Sequence, residues 1–109
     1  MNEVRQTTIY IGLNDSETKT QIHETDKYIE ILKIVCQNYH VAFSVNMVNG
    51  GYFHDDGTYV EENTLVLTLL DVEKEVIQEI AQDLCAFFHQ ESVMVTSSLS
   101  EVYFVRETI

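Results

Sequence analysis

The sequence predicts an α+β domain, one antiparallel sheet carrying two helices on a single face. Three observations predict it. Two stretches place apolar residues at helical spacing, several others alternate with the period of strands, and they follow one another as β-α-β-β-α-β. The 109 residues suit one domain, 1–109, long enough to bury a core without staples.

The first strand lies in Thr7–Leu13, where Ile9, Ile11 and Leu13 share a face. Residues 14–20 are polar and read as a loop. A helix follows, capped by Thr25 or Asp26, with Tyr28, Ile29, Leu32, Val35, Cys36 and Tyr39 on its apolar side. Val41–Val48 alternates again, with Val41, Phe43, Val45 and Met47 inward, and Asn49-Gly50-Gly51 supplies turn residues at its end. Asn63–Leu70 is the third strand, with Leu65, Leu67 and Leu69 inward. The two strands make a hairpin, with Tyr52–Phe53 and Thr58–Val60 extending its tip as a ribbon.

Asp71 is the expected cap of a second helix running to about His89. Its buried stripe is Val76, Ile77, Ile80, Ala81, Leu84 and Phe88. Ser92–Thr96 and Glu101–Val105 read as one bent strand or two short ones, separated by Ser97–Ser100. This order is the split βαβ, or ferredoxin-like, arrangement, with strand order 4-1-3-2. The term is topological only, since two helical cysteines fall short of the four thiolates an iron–sulfur cluster needs.

Charge narrows the function. Six Lys and Arg face 18 Asp and Glu, a net of −12. Residues 34–105 hold one base, Lys74, against eleven acids, so that stretch nets 1 − 11 = −10. Such a chain disfavours nucleic acid or an anionic membrane as a direct partner and favours a basic protein surface or a cation. The polar start Met1–Gln6, the lack of an apolar run of membrane length and the two cysteines predict a reduced, cytoplasmic protein.

Four pieces of sequence carry a resemblance. They are Ile9-Tyr10-Ile11-Gly12-Leu13, Asn49-Gly50-Gly51-Tyr52, Glu62-Asn63-Thr64-Leu65-Val66-Leu67 and Phe88-His89-Gln90-Glu91-Ser92-Val93. The last, aromatic-x-Gln-Glu-Ser-Val, is the most specific. Together the pieces resemble an uncharacterised bacterial family of small ferredoxin-like domains of unknown function. The resemblance implies the fold and a shared pocket near Tyr10, Glu62, Gln90, Glu91 and Ser92; it implies no reaction.

Motifs for catalysis are thin. His89, Glu91 and Ser92 lack the G-x-S-x-G setting of a nucleophilic serine and read as a helix end and a strand start. His54-Asp55-Asp56-Gly57 lacks calcium-loop spacing and reads as an acidic turn. Cys36 and Cys85 read as small core hydrophobes. No catalytic residue, metal or cofactor is expected.

A non-enzymatic acidic binding module fits this composition, which is similar to that of phage inhibitors of restriction or CRISPR nucleases. Asp55, Asp56, Glu61 and Glu62 on the ribbon, with Glu73, Glu75, Glu79 and Asp83 on the second helix, would imitate a phosphate backbone before a basic partner. Tyr52, Phe53 and Tyr59 would anchor it. The alternatives are a small-ligand or enzymatic domain using the pocket above, and a homo-oligomer pairing through a helix-free sheet face that presents Tyr10, Ser44, Val66 and Thr68.

Overall fold

The computed structural model describes residues 2–108. Its elements are β1 (Asn2–Gly12), α1 (Thr25–Asn38), β2 (Ser44–Phe53), β3 (Tyr59–Leu70), α2 (Lys74–Phe87) and β4 (Met94–Val102). The sheet order is β2-β3-β1-β4, the predicted order read from the other edge, and every neighbouring pair is antiparallel. This is the ferredoxin-like α+β fold.

Two periods meet in the core. Along β1 and β3 every second residue faces the helices: Ile9 pairs with Leu67 and Ile11 with Leu65, and all four are fully buried. Leu32 and Cys36 of α1 and Ile80 and Leu84 of α2 close over them at helical spacing. Each such aliphatic side chain contributes about 1.5–3 kcal/mol on leaving water.

The helix starts differ from expectation. Glu24 and Glu73, not Thr25, Asp26 or Asp71, hold the N-cap positions, and neither makes a side-chain cap bond. Thr25 is already helical, and its hydroxyl accepts from Gln21 Nε2 at 3.1 Å. Asp71 takes a left-handed φ of 56° and donates its N–H to the Arg5 carbonyl at 2.9 Å, which turns the chain out of β3. The helix ends match each other. His40 (φ 56°) and His89 (φ 53°) are left-handed, and the next residues, Val41 and Gln90, donate back to the Cys36 and Cys85 carbonyls.

Two strand boundaries also differ. Asn49-Gly50-Gly51 does not end β2, which continues to Phe53 with Gly51 opposite Glu61. Gly51 leaves room for the Tyr59 phenol, which lies where its Cβ would be. The turn falls at residues 54–58, where His54 donates to the Thr58 carbonyl at 2.9 Å and Gly57 adopts φ 89°. Ser97–Ser100 do not divide the last strand either: β4 is continuous, paired with β1 from Asn2↔Val102 to Tyr10↔Met94, and Tyr103–Val105 lie outside it. Backbone pairing outweighs the weak strand preference of serine.

Pairing between β1 and β3 stops at Gly12↔Thr64, while β2 and β3 stay paired to Phe53↔Tyr59. The excess is a two-stranded ribbon, and the molecule measures 55 × 31 × 29 Å. No helix among the described residues is long and apolar enough to cross a membrane.

Candidate functional site

The sequence-predicted pocket residues converge only in part. Glu62, Gln90, Glu91 and Ser92 line one open cleft of about 250 Å³, together with Asn14, Asp15, Ser16, Lys19, Tyr52, His54 and Val60. The cleft lies where the β1–α1 loop, the ribbon base and the α2–β4 turn meet. Tyr10 is not among its lining; it sits on the helix-free face of the sheet, opposite Val66 and Met94.

Each wall has a local cause. Glu62 lies two residues beyond the last β1 pair, Gly12↔Thr64, and its carboxylate folds over Gly12 and accepts the Asn14 N–H at 3.2 Å. A side chain on Gly12 would occupy that space. Asp15 Oδ1 accepts the N–H groups of Glu17 at 2.8 Å and Thr18 at 3.1 Å, an Asx turn that holds the loop. Those bonds keep its carboxyl below the usual aspartate value of 3.8. Its other oxygen lies 3.4 Å from His89 Nδ1.

The Phe88–Val93 segment joins the core to the cleft. Phe88 is buried edge-on against Tyr28, with ring centroids 5.1 Å apart. His89 turns the chain through its left-handed backbone, and its carbonyl accepts the Ser16 N–H at 3.0 Å. Gln90 Nε2 then donates to the Asn14 carbonyl at 2.6 Å. Glu91 and Ser92 follow as cleft wall, in a connection that precedes β4 rather than within the strand. Val93 returns to the core.

Sequence reasoning missed Asn14, Asp15, Ser16 and Lys19, and read His54 only as part of an acidic turn. The signal was a polar run directly after an apolar strand, which marks a loop without saying what it faces. The cleft holds three carboxylates, Asp15, Glu62 and Glu91, against Lys19, a formal 1 − 3 = −2.

The residues expected to dock a basic partner do not form one patch. Along the ribbon, Phe53, Tyr59 and Glu61 point to one side and Tyr52 and Glu62 to the other. Phe53 is 70% exposed and its ring centroid lies 5.2 Å from that of Tyr59. Tyr59 Oη donates to Glu61 Oε1 at 3.1 Å, and Asp56 Oδ1 accepts the Thr58 N–H at 2.9 Å. Asp55 and Asp56 are exposed at the tip. Glu73, Glu75 and Glu79 are exposed around α2, but Asp83 is half-buried and accepts the Tyr39 hydroxyl at 2.7 Å. Asp83 therefore ties α2 to the end of α1.

A larger groove, about 850 Å³, runs between α2 and β4, with Val72, Ile77, Ala81 and Val95 beside Arg5 and Lys74. None of the binding residues singled out from sequence lines it.

A family model described as "Protein of unknown function (DUF3574)" matches residues 6–104. The chain belongs to this family. That match spans β1 to β4 and takes in the whole cleft of this DUF3574 domain. No curated protein matches the chain. Among solved structures, it is similar to a phage SAM lyase in complex with S-methyl-5′-thioadenosine, at 21% identity and TM-score 0.68, over 92% of this chain and 87% of that one. A phage SAM lyase in the apo state is similar at 21% identity and TM-score 0.65, over 98% of this chain and 93% of that one. A DUF3240 family protein from Shewanella baltica is more distant, at 10% identity and TM-score 0.48, over 96% and 97%. At 21% identity the likeness to the phage SAM lyase shows the fold alone.

Proposed function

We propose that the DUF3574 chain binds a small cationic ligand in the cleft between the β1–α1 loop, the ribbon base and the α2–β4 turn. The observation that carries this reading is the convergence of Glu62, Gln90, Glu91 and Ser92 in one cavity, with Glu62 anchored over Gly12. Two glutamates and Asp15 give a cation its counter-charge, and the Tyr52 ring adds a π face. Gln90 and the backbone around Asn14 fix the wall so that the carboxylates do not have to be ordered on binding.

The fold shared with a phage SAM lyase supports a sulfonium nucleoside as the ligand class. S-adenosylmethionine carries a sulfonium, an ammonium and one carboxylate, a net positive charge, whereas S-methyl-5′-thioadenosine is the neutral thioether. A cleft that grips by charge prefers the former. The test is thermal shift and calorimetric titration with both compounds, using the wild type, Glu62→Gln and Glu91→Gln. S-adenosylmethionine should raise the midpoint, and each variant should weaken it at least tenfold; a site filled to a hundred times its Kd gains about 2.7 kcal/mol. No shift with either compound, or variants that bind like the wild type, would sink the reading.

Exposed aromatic rings beside Asp55 and Asp56 favour a second reading, in which the ribbon tip docks a basic, nucleic-acid-binding protein surface and blocks it. Tyr52 is 45%, Phe53 70% and Tyr59 54% exposed. The charge-neutralised variant of Asp55, Asp56 and Glu61 should then lose partner binding, and the wild-type affinity should fall with added salt. Either reading suits a protein of the cytoplasm.

A further inference from the structure

We infer that the helix-free face of the sheet is a self-association surface that seats a second copy of this chain. The register places Asn46, Val66, Tyr10 and Met94 in one row across the four strands, with Thr68 and Thr8 beginning the next. On this side β1 presents residues 4 to 12, β2 44 to 48, β3 64 to 70 and β4 94 to 100, taking every second position. None of those positions carries a formal charge; the one carboxylate beside them is that of Glu62, the next residue on this side of β3, which folds over Gly12 at the ribbon end of the face. The chain as a whole is 22% Asp, Glu, Lys and Arg. Met94 is 57%, Leu70 47% and Val48 42% exposed there, although each is apolar.

The occupant follows from charge. Two copies at −12 repel wherever their carboxylates meet, as at Glu73, Glu75 and Glu79 on α2 or Asp55 and Asp56 on the tip. A basic partner would be drawn to those faces and would gain little Coulomb energy on this one, whose single carboxylate, Glu62, lies at its edge. An identical copy has the opposite preference, because like-charged bodies approach most cheaply where neither carries charge. Strands about 4.8 Å apart, rising about 3.3 Å per residue, give the face roughly 500 Å² per copy. A pair thus buries about 1,000 Å², the lower bound for a specific interface. The face adjoins the cleft but does not depend on what the cleft binds.

The test is the mass in solution by light scattering and sedimentation, over a range of protein concentration and salt. The wild type should exceed the mass of one chain, and added NaCl should tighten association by screening the outer carboxylates. Thr8→Glu and Met94→Glu should give monomers, with circular dichroism confirming the fold. Met94→Glu stays informative if Thr8→Glu unfolds, since Met94 is already exposed in one chain. Glu79→Lys, on α2, should associate at least as well as the wild type. A wild type that stays monomeric at high concentration and salt, or a Met94→Glu variant of unchanged mass, overturns the inference.

Discussion

Gly12 and Glu62 compete for one space: a Cβ on Gly12 would fall 2.6 Å from Glu62 Oε2 and 2.7 Å from its Cδ. The missing side chain lets the carboxylate lie flat over the end of β1 and reach the Asn14 N–H. A glycine at the end of a strand thereby sets the position of the carboxylate that faces the cleft.

Gly12→Ala should separate binding from folding. The clashing atoms are the far end of a flexible side chain, so Glu62 swings away while the backbone stays. Losing a charge-assisted contact of about 1.5–3 kcal/mol weakens a cationic ligand by roughly 10- to 100-fold. The thermal midpoint without ligand should move little. Calorimetric titration beside a thermal melt checks both halves; a large drop in the unliganded midpoint would show that Gly12 serves the fold instead.

Leu67 tests the core at its centre. It is fully buried on β3, between Ile9 on one side and Val45 on the other. Leu67→Ala leaves a cavity under both helices and should cost about 2–5 kcal/mol, a large share of a typical 5–15 kcal/mol domain stability. Urea unfolding should show the midpoint falling with an unchanged slope.

How far the sequence spoke depended on the kind of signal. Period-two runs such as Ile9-Tyr10-Ile11 and the stripe of α2 identified the core, because burial acts on every turn or pleat of an element. Boundaries were read poorly where one contact overrides composition. Asn49-Gly50-Gly51 looks like a turn, yet Gly51 pairs with Glu61 inside the strand and the Tyr59 ring lies over it. The serines of β4 look like a break, yet the edge of β1 pairs with them. The cleft was half legible. Glu62 and Gln90–Ser92 came from a family-like pattern, whereas the Asn14–Lys19 wall depends on a loop path that local sequence does not encode.

Asp15 should make the cleft sensitive to acid. Its folded pKa is lowered below 3.8, first by the Glu17 N–H and then by the Thr18 N–H. A lowered folded pKa contributes stability that is present above the unfolded value and lost as pH falls through the folded one. Between about pH 5 and pH 3 the wild type should therefore lose stability more steeply than Asp15→Asn, which lacks the titrating group. At neutral pH the wild type should be the more stable, and the gap between the two should close as the pH falls. Melting curves across that range decide it, and parallel acid limbs would contradict the assignment.

Cysteine labelling probes the packing of the helices directly. Burial pushes the Cys36 thiol up to about 11, and burial also raises Cys85, which is only partly covered. A thiol that stays protonated and enclosed is a poor nucleophile. In the native protein at neutral pH, Cys85 should react slowly with a disulfide reagent and Cys36 more slowly still. Both should react fully on unfolding. Rapid native labelling of Cys36 would mean that α1 opens readily from the sheet.

The Tyr39–Asp83 bond decides how one acidic residue is to be read. Sequence placed Asp83 with Glu73, Glu75 and Glu79 as a docking carboxylate, but its oxygen holds the Tyr39 hydroxyl at 2.7 Å. That bond pushes the Tyr39 pKa up to about 12, since ionising the phenol would set a second negative charge against the carboxylate. The link joins the end of α1 to the last turns of α2, so it should serve stability. Tyr39→Phe and Asp83→Asn should each lower the thermal midpoint, and the double variant should lose little beyond either single one, because both remove the same bond. Glu75→Gln and Glu79→Gln, on exposed positions, should leave the midpoint almost unchanged. If Asp83→Asn also left it unchanged, Asp83 would return to the outer acidic surface.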